Sequence, residues 1–309
     1  MRTAFADTLE QCAAADDRIV LLSGDIGNRM FDSFKQRFPQ RFYNCGVAEA
    51  NMMGVAAGLA ACGLRPVVYT ITPFVTTRCL EQIRVDVCYH HQPVIIVGVG
   101  GGLAYANLGA THHSCEDIGM LRTLPHMRVV CPCDRAEVKA ALPAAVALGE
   151  PTYLRLGKKG EPDVHSAPPE FEIGRGIELR RGDDIVLLAT GNITPSALRA
   201  ADLLEQQNIG AAVYSVHTVK PLDEQLLAAS FRRARLVVTL EEHSAIGGLG
   251  GGVAEWLADN PSASPLLRIG TPDSFFHQAG SPEYARRQWG LSPDAIAQRI
   301  QQHIDSQTS

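Results

Sequence analysis

Short runs of β-branched and aliphatic residues alternate with longer helical stretches along nearly the whole chain, and few folds accept that rhythm. The runs are Ile19-Val-Leu-Leu, Val67-Val-Tyr-Thr, Pro93-Val-Ile-Ile-Val-Gly, Arg128-Val-Val, Thr152-Tyr-Leu-Arg, Ile185-Val-Leu-Leu-Ala, Ala211-Ala-Val-Tyr-Ser-Val and Arg235-Leu-Val-Val-Thr-Leu. Continuous apolar strands separated by helices belong to parallel sheets covered on both faces, because a strand with one wet face alternates instead. The expected fold class is therefore α/β. At 309 residues and 46% apolar content, the chain exceeds one ordinary core and suits two domains. Between Gly157 and Gly182 the text turns to Lys158-Lys-Gly-Glu-Pro and Ser166-Ala-Pro-Pro-Glu, rich in Pro, Gly and charge, which reads as a linker. The expected division is a first domain over 1–157, a linker over 158–181 and a second domain over 182–309. Helices are expected at 3–15, 48–62, 77–87, 115–123 and 135–147, then at 194–207, 223–233, 248–260 and 292–303.

A net charge of -5 with no long run of like charges argues against a nucleic-acid tail or a membrane-binding patch and leaves a small-molecule enzyme as the better fit. The longest apolar stretch, residues 93–106, is broken by Gly98, Gly100, Gly101 and Gly102 and is too short to span a bilayer. The N-terminal residues carry no signal-peptide core, so a cytoplasmic location is expected. Eight cysteines lie at irregular spacing, without the Cys-x-x-Cys geometry of zinc sites, and read as small core residues. Cys131-Pro-Cys133 is the one tight pair.

Four segments carry chemistry. Asp25 and Gly27 follow the first strand, where open parallel sheets present ligand crevices; a turn chosen for its Asp and Gly serves equally well as a reading. Glu49 opens a helix, where acids are favoured in any case. Here, however, it precedes Asn51, Gly54, Ala56-Ala57-Gly58 and Ala60, small residues suited to close packing rather than to a solvated face. Phe74 lies in Thr70-Ile-Thr-Pro-Phe-Val-Thr-Thr-Arg-Cys-Leu-Glu-Gln-Ile-Arg84. His112 lies in Gly109-Ala-Thr-His-His-Ser-Cys-Glu-Asp-Ile-Gly119, where adjacent histidines must point different ways. Glu116 and Asp117 are expected to cap the next helix. A metal site of His112, His113, Cys115 and Asp117 is disfavoured, because neighbouring residues rarely converge on one ion.

The segment Asn44-Cys-Gly-Val-Ala-Glu-Ala-Asn-Met-Met-Gly-Val-Ala-Ala-Gly-Leu-Ala60 resembles the signature of the pyrimidine-binding domain in transketolase-like thiamine diphosphate enzymes. The Phe74 and His112 segments resemble two further signatures of that family, and Ser23-Gly-Asp-Ile-Gly-Asn-Arg resembles its substrate-channel loop. Glu241-Glu-His with Gly247-Gly-Leu-Gly, together with Val216-His-Thr-Val-Lys-Pro-Leu-Asp223 and Thr190-Gly, resembles its C-terminal domain, whose glycine-rich loop serves assembly rather than a nucleotide. The resemblance thus covers nearly the whole chain. It implies two three-layer α/β/α domains, a pyrimidine-binding fold on a parallel sheet followed by a C-terminal domain on a mixed sheet. It also implies that Glu49 hydrogen-bonds the coenzyme's aminopyrimidine and assists removal of the thiazolium C2 proton, that Phe74 stacks on that ring beside Ile71, and that His112 faces the reacting carbonyl.

The family's diphosphate-binding Gly-Asp-Gly motif is missing. The resemblance therefore implies a partner: an N-terminal transketolase subunit that holds the diphosphate through Mg2+ or Ca2+, in an α2β2 assembly without which this chain is inactive. No metal ligand is expected in this chain itself. Three positions depart from the sugar-phosphate pattern: Leu108 stands where Asp reads a donor hydroxyl, Gly100 where His contacts phosphate, and Cys131 where Arg precedes Pro-x-Asp. Arg2, Arg29, Arg155 and Lys158 are candidate replacement cations, and Asp25 a candidate substrate contact. The expected activity is transfer of a two-carbon ketol unit from a ketose to an aldehyde acceptor, on sugar or sugar-phosphate substrates. The alternatives are ligation from pyruvate in the manner of 1-deoxyxylulose-5-phosphate synthase, a 2-oxo-acid dehydrogenase beta subunit, and a non-catalytic scaffold.

Overall fold

The computed structural model describes residues 1–27 and 29–308, the last by its backbone; Asn28, in the expected channel loop, lies outside the described residues. The first half contains strands β1 (Ile19–Ser23), β2 (Phe42–Asn44), β3 (Arg65–Ile71), β4 (Ile95–Val99), β5 (Arg128–Val130) and β6 (Thr152–Leu156). Its helices are α1 (Arg2–Ala15), α2 (Asp32–Arg37), α3 (Glu49–Ala61), α4 (Thr72–Val75), α5 (Leu80–Gln82), α6 (Asp117–Arg122) and α7 (Arg135–Leu148). The second half contains β7 (Ile177–Arg180), β8 (Ile185–Thr190), β9 (Ala211–Ser215), β10 (Thr218–Lys220), β11 (Leu236–Ser244) and β12 (Leu266–Thr271). Helices α8 (Thr194–Glu205), α9 (Glu224–Arg233), α10 (Leu249–Asp259), α11 (Pro282–Gln288) and α12 (Pro293–Thr308) accompany them.

The strands form a seven-stranded sheet ordered β10-β5-β6-β4-β3-β1-β2 and a five-stranded sheet ordered β12-β11-β8-β9-β7. All pairings are parallel except β10 with β5 and β7 with β9, so the first sheet is mostly parallel and the second mixed. Alternation along each strand divides the core. Val20, Leu22 and Val68 meet Met52, Met53 and Ala56 of α3 on one face, while Leu21, Val67 and Val97 meet Phe5 and Leu9 of α1 and Leu142 of α7 on the other. The α3 side of this core continues through Val129 and Tyr153 to Val186 and Leu188 of the second sheet, so the two sheets share an apolar interior.

Three expectations need correction. The segment expected as linker over 158–181 contains β7 near its end, because Ile177–Arg180 finds an edge to pair with on β9. Strand β10, well inside the expected second domain, crosses to the edge of the first sheet, where Thr218 pairs with Val130. The helix expected over 77–87 is divided into a 3-10 turn (Thr77–Cys79), α5 and a π-helix (Ile83–Tyr89). Such widened turns are common beside functional sites.

Strand order decides where a site can form. From β1 the chain first adds β2 on one side and then β3 on the other, so the carboxyl ends of β1 and β3 diverge and leave a crevice between their loops. Gly24 and Asp25 leave β1 there, Phe74 leaves β3, and α3 begins with Glu49 after β2.

Candidate active site

Glu49 is the first residue of α3 and is only 2% exposed. A carboxylate removed from water needs a partner, and it has one in Arg78, whose Nη1 donates to Glu49 Oε2 at 2.8 Å. The same guanidinium lies 4.2 Å from the ring centre of Phe74. Phe74 in turn meets the imidazole of His112 edge-on, with ring centroids 5.2 Å apart. Two helix segments, α3 and α4, and one loop thus bring Glu49, Phe74 and His112 into one cluster, with Ile71 half-buried at the end of β3 just before α4. Arg78, present in the sequence signature but given no role there, is the link between them. Its signal in the sequence was only its place four residues after Phe74.

Gly24 explains how closely the β1 loop approaches. A methyl group there would sit 3.0 Å from Thr70 Oγ1 and 3.4 Å from Glu49 Cγ. The hydroxyls of Thr70 and Thr72 are buried with no hydrogen-bond partner among the described residues.

His112 and His113 diverge. His112 is half-buried, its Nδ1 2.9 Å from Thr111 Oγ1, whereas His113 is buried against Phe276 of the second half. Burial first, and then the positive charges of Lys158 and Arg78, hold His112 below the ordinary histidine value, so the ring is neutral at pH 7. Tyr105 completes this wall, 5.9 Å from His112, with Lys158 Nζ 4.2 Å from its ring centre. Gly100, where other members are expected to carry a phosphate-contacting His, has φ +81 and is so placed that any side chain would overlap the Tyr105 ring. The departure at 100 is thus tied to an aromatic residue that sequence reasoning passed over. Arg2 lies near enough to Tyr69 and Tyr105 for its charge to act on both. Asp25 is exposed, with φ 57, and accepts a hydrogen bond from Asn44 Nδ2 at 2.9 Å. Arg29 is exposed in the following turn.

Arg155 is not a free cation. It is buried on β6, donating from Nε to Asp117 Oδ2 at 2.7 Å and from Nη2 to the carbonyls of Ser114 and Glu242. Asp117 also accepts from the Tyr153 hydroxyl at 2.6 Å. Burial opposes its ionisation, but the Arg155 charge and these bonds hold it below the usual carboxylate value. Neither Glu116 nor Asp117 supplies a side-chain cap to α6; the tertiary ion pair claims Asp117 first. Of the disfavoured metal set, Asp117 is committed to Arg155 and Tyr153. Among the described residues the Cys/Glu/His cluster is Cys133, Glu137 and His165. There Glu137 is already bonded at both oxygens, to His165 Nε2 at 3.0 Å and to the Cys133 amide at 2.8 Å. It ties residue 165 to the start of α7.

The Glu241-Glu-His run is structural in its contacts. Glu241 accepts the amides of Leu249 and Gly250 at the start of α10. Glu242 accepts from the Leu103 amide and from Arg286, and His243 Nε2 accepts from the Gly119 amide at 3.1 Å. Glu241 thus anchors α10 to its own sheet, while Glu242 and His243 fasten that sheet to the segment from Leu103 to Gly119 that carries His112.

Residues 1–161 match the family model for the transketolase pyrimidine binding domain, and residues 174–296 match that for the transketolase C-terminal domain. The chain is 40% identical to the 6-deoxy-6-sulfo-D-fructose transketolase subunit SqwH of Clostridium sp. (strain MSTE9), over 96% of this chain and 92% of that one. It is 37% identical to an apulose-4-phosphate transketolase subunit of Phocaeicola vulgatus, over 96% and 94%. Among solved structures it resembles a split gene transketolase described as an inactive beta4 tetramer, with TM-score 0.88 and 37% identity over 97% and 96% of the two chains.

Proposed function

The chain belongs to the transketolase family, and from that premise we propose that it acts as the C-terminal subunit of a thiamine diphosphate-dependent enzyme transferring a two-carbon ketol unit from a ketose to an aldehyde. The observation that carries this reading is the buried Glu49 carboxylate, joined through Arg78 to the Phe74 ring, which in turn meets His112. The residues fit the coenzyme's heterocycle. Phe74 offers a flat apolar face, Glu49 a buried acceptor, and the Thr70 hydroxyl, across the Gly24 approach from Glu49, unmet hydrogen-bonding capacity. Relatives of matching length are themselves transketolase subunits.

When bound, the coenzyme supplies the carbon centre that takes up and releases the two-carbon unit. Glu49 accepts a hydrogen bond from the pyrimidine ring and holds a proton there. Phe74, with Ile71 beside it, orients the ring. His112, neutral at pH 7 with Nδ1 engaged by Thr111, has Nε2 left to give or take a proton at a substrate oxygen. Lys158 and Arg2 place positive charge beside Tyr105, which suits a substrate with an anionic tail, while Asp25 and Arg29 line the rim. Tyr105 and Lys158 replace the phosphate contacts absent at Gly100 and Cys131. A partner N-terminal subunit holds the diphosphate through Mg2+ or Ca2+, in an α2β2 assembly. No helix among the described residues is long and apolar enough to cross a membrane; we place the complex in the cytoplasm, acting on carbohydrate substrates.

The test is Glu49→Gln in the assembled complex. Turnover is expected to fall by a factor on the order of 100 or more, the range for loss of a positioned acid-base group, with the two subunits still associated. Unchanged turnover would leave the scaffold reading standing. Supplying ketoses and pyruvate separately and measuring carbon dioxide release separates ketol transfer from decarboxylative ligation.

A further inference from the structure

Arg78 makes the contacts expected of the coenzyme's ring. Its guanidinium is planar and rich in N–H groups, lies 4.2 Å from the Phe74 ring centre and donates to Glu49 Oε2 at 2.8 Å. On the reading above, which this inference rests on, these are the aromatic face and the carboxylate that the aminopyrimidine takes. Glu49 is 2% exposed, so its surroundings leave little room for a second planar group at the same oxygen. The Arg78 side chain is 44% exposed, so its outer part already reaches solvent and can swing away without opening the core.

We propose that Arg78 is an internal stand-in for the coenzyme's heterocycle, and that coenzyme binding exchanges one planar donor for another at Glu49 and Phe74. The physical case has two parts. A buried carboxylate without a counter-charge is strongly unfavourable, so the unliganded subunit gains from a residue that pairs with Glu49. A guanidinium does this while stacking flat on an aromatic ring, which an ammonium cannot do. The stabilisation that Arg78 gives the empty site is then subtracted from the coenzyme's apparent affinity, in proportion to the fraction of molecules whose site is filled by the side chain.

The experiment measures binding of thiamine diphosphate with Mg2+ to the assembled complex by calorimetry, alongside melting temperatures with and without saturating coenzyme. Arg78→Ala is expected to tighten binding, by about tenfold if the site stands open in about a tenth of wild-type molecules. Its melting temperature is expected to fall without coenzyme and to match wild type with it. Arg78→Lys, which keeps the charge but loses the plane, is expected to fall between the two in affinity, and it decides the matter if the alanine variant does not fold. Weaker or unchanged binding by both variants, or an equal loss of melting temperature with and without coenzyme, overturns the proposal and makes Arg78 a coenzyme-holding or purely structural residue. If wild type and variants alike bind no coenzyme, the functional reading fails together with the proposal.

Discussion

His112 is surrounded by groups that all act in one direction. Burial disfavours its charged form, and Lys158 and Arg78 add repulsion. Removing one cation therefore raises its pKa back toward the ordinary value. Lys158→Met is expected to move the His112 titration upward, followed by the imidazole proton resonances across pH 5 to 8, and to shift the acid limb of the activity profile the same way. An unmoved titration would show that Lys158 does not reach the ring. The residues whose types carry chemistry, Glu49, Phe74 and His112, stand out in the sequence because they sit in dense local signatures. Arg78, Tyr105 and the loss of Arg155 to Asp117 do not, because each is defined by a partner distant along the chain, as with Arg78 and Glu49, which are 29 residues apart.

Helix α10 begins on glycines, with no side-chain cap of its own. Glu241 of β11 provides the missing acceptor for two of its first amides, the groups that every helix start leaves without partners. Burial pushes the Glu241 carboxyl up to about 7, against the pull of these amides and of the Arg155 and Arg122 charges. A raised folded value means that the native state holds this proton more tightly than the unfolded chain. The contribution therefore grows as pH falls from about 7 toward 4.5 and fades as pH rises through 7. Glu241→Gln removes that titration, so the melting temperature of wild type relative to the variant is expected to rise on acidification from pH 7.5 to 5. A constant difference would contradict the assignment. At this scale the sequence was most legible where strands are long and apolar, as in β3, β4 and β8. It was least legible at β2, β7 and β10, which are three or four residues long and exist because a neighbouring edge receives them.

Across the molecule, α3 joins the site to its outer surface. One side of the helix buries Met52, Met53, Ala56 and Ala60, while Asn51, Val55 and Gly58 face outward beside the exposed Val47. A side chain at Gly58 would meet nothing within 4 Å in this chain, so packing within the subunit gives no reason for a glycine there. An assembly that brings another subunit close to α3 does. Gly58→Leu is expected to leave the melting transition of the isolated chain nearly unchanged and to weaken association with the partner, read by sedimentation. Full assembly by the variant would put the contact elsewhere.

The sequence by itself determined the α/β class, the strands of both sheet cores and the helix that opens on Glu49. Each of these follows from periodicity and residue chemistry within a window of one element. Tertiary structure alone decided that β10 closes the first sheet, that Asp117 serves Arg155 rather than a helix end, and that Arg78 lies on Phe74 against Glu49. Those outcomes depend on which buried charge finds which counter-charge once the sheets have packed, and desolvation enforces that choice only when the chain is folded.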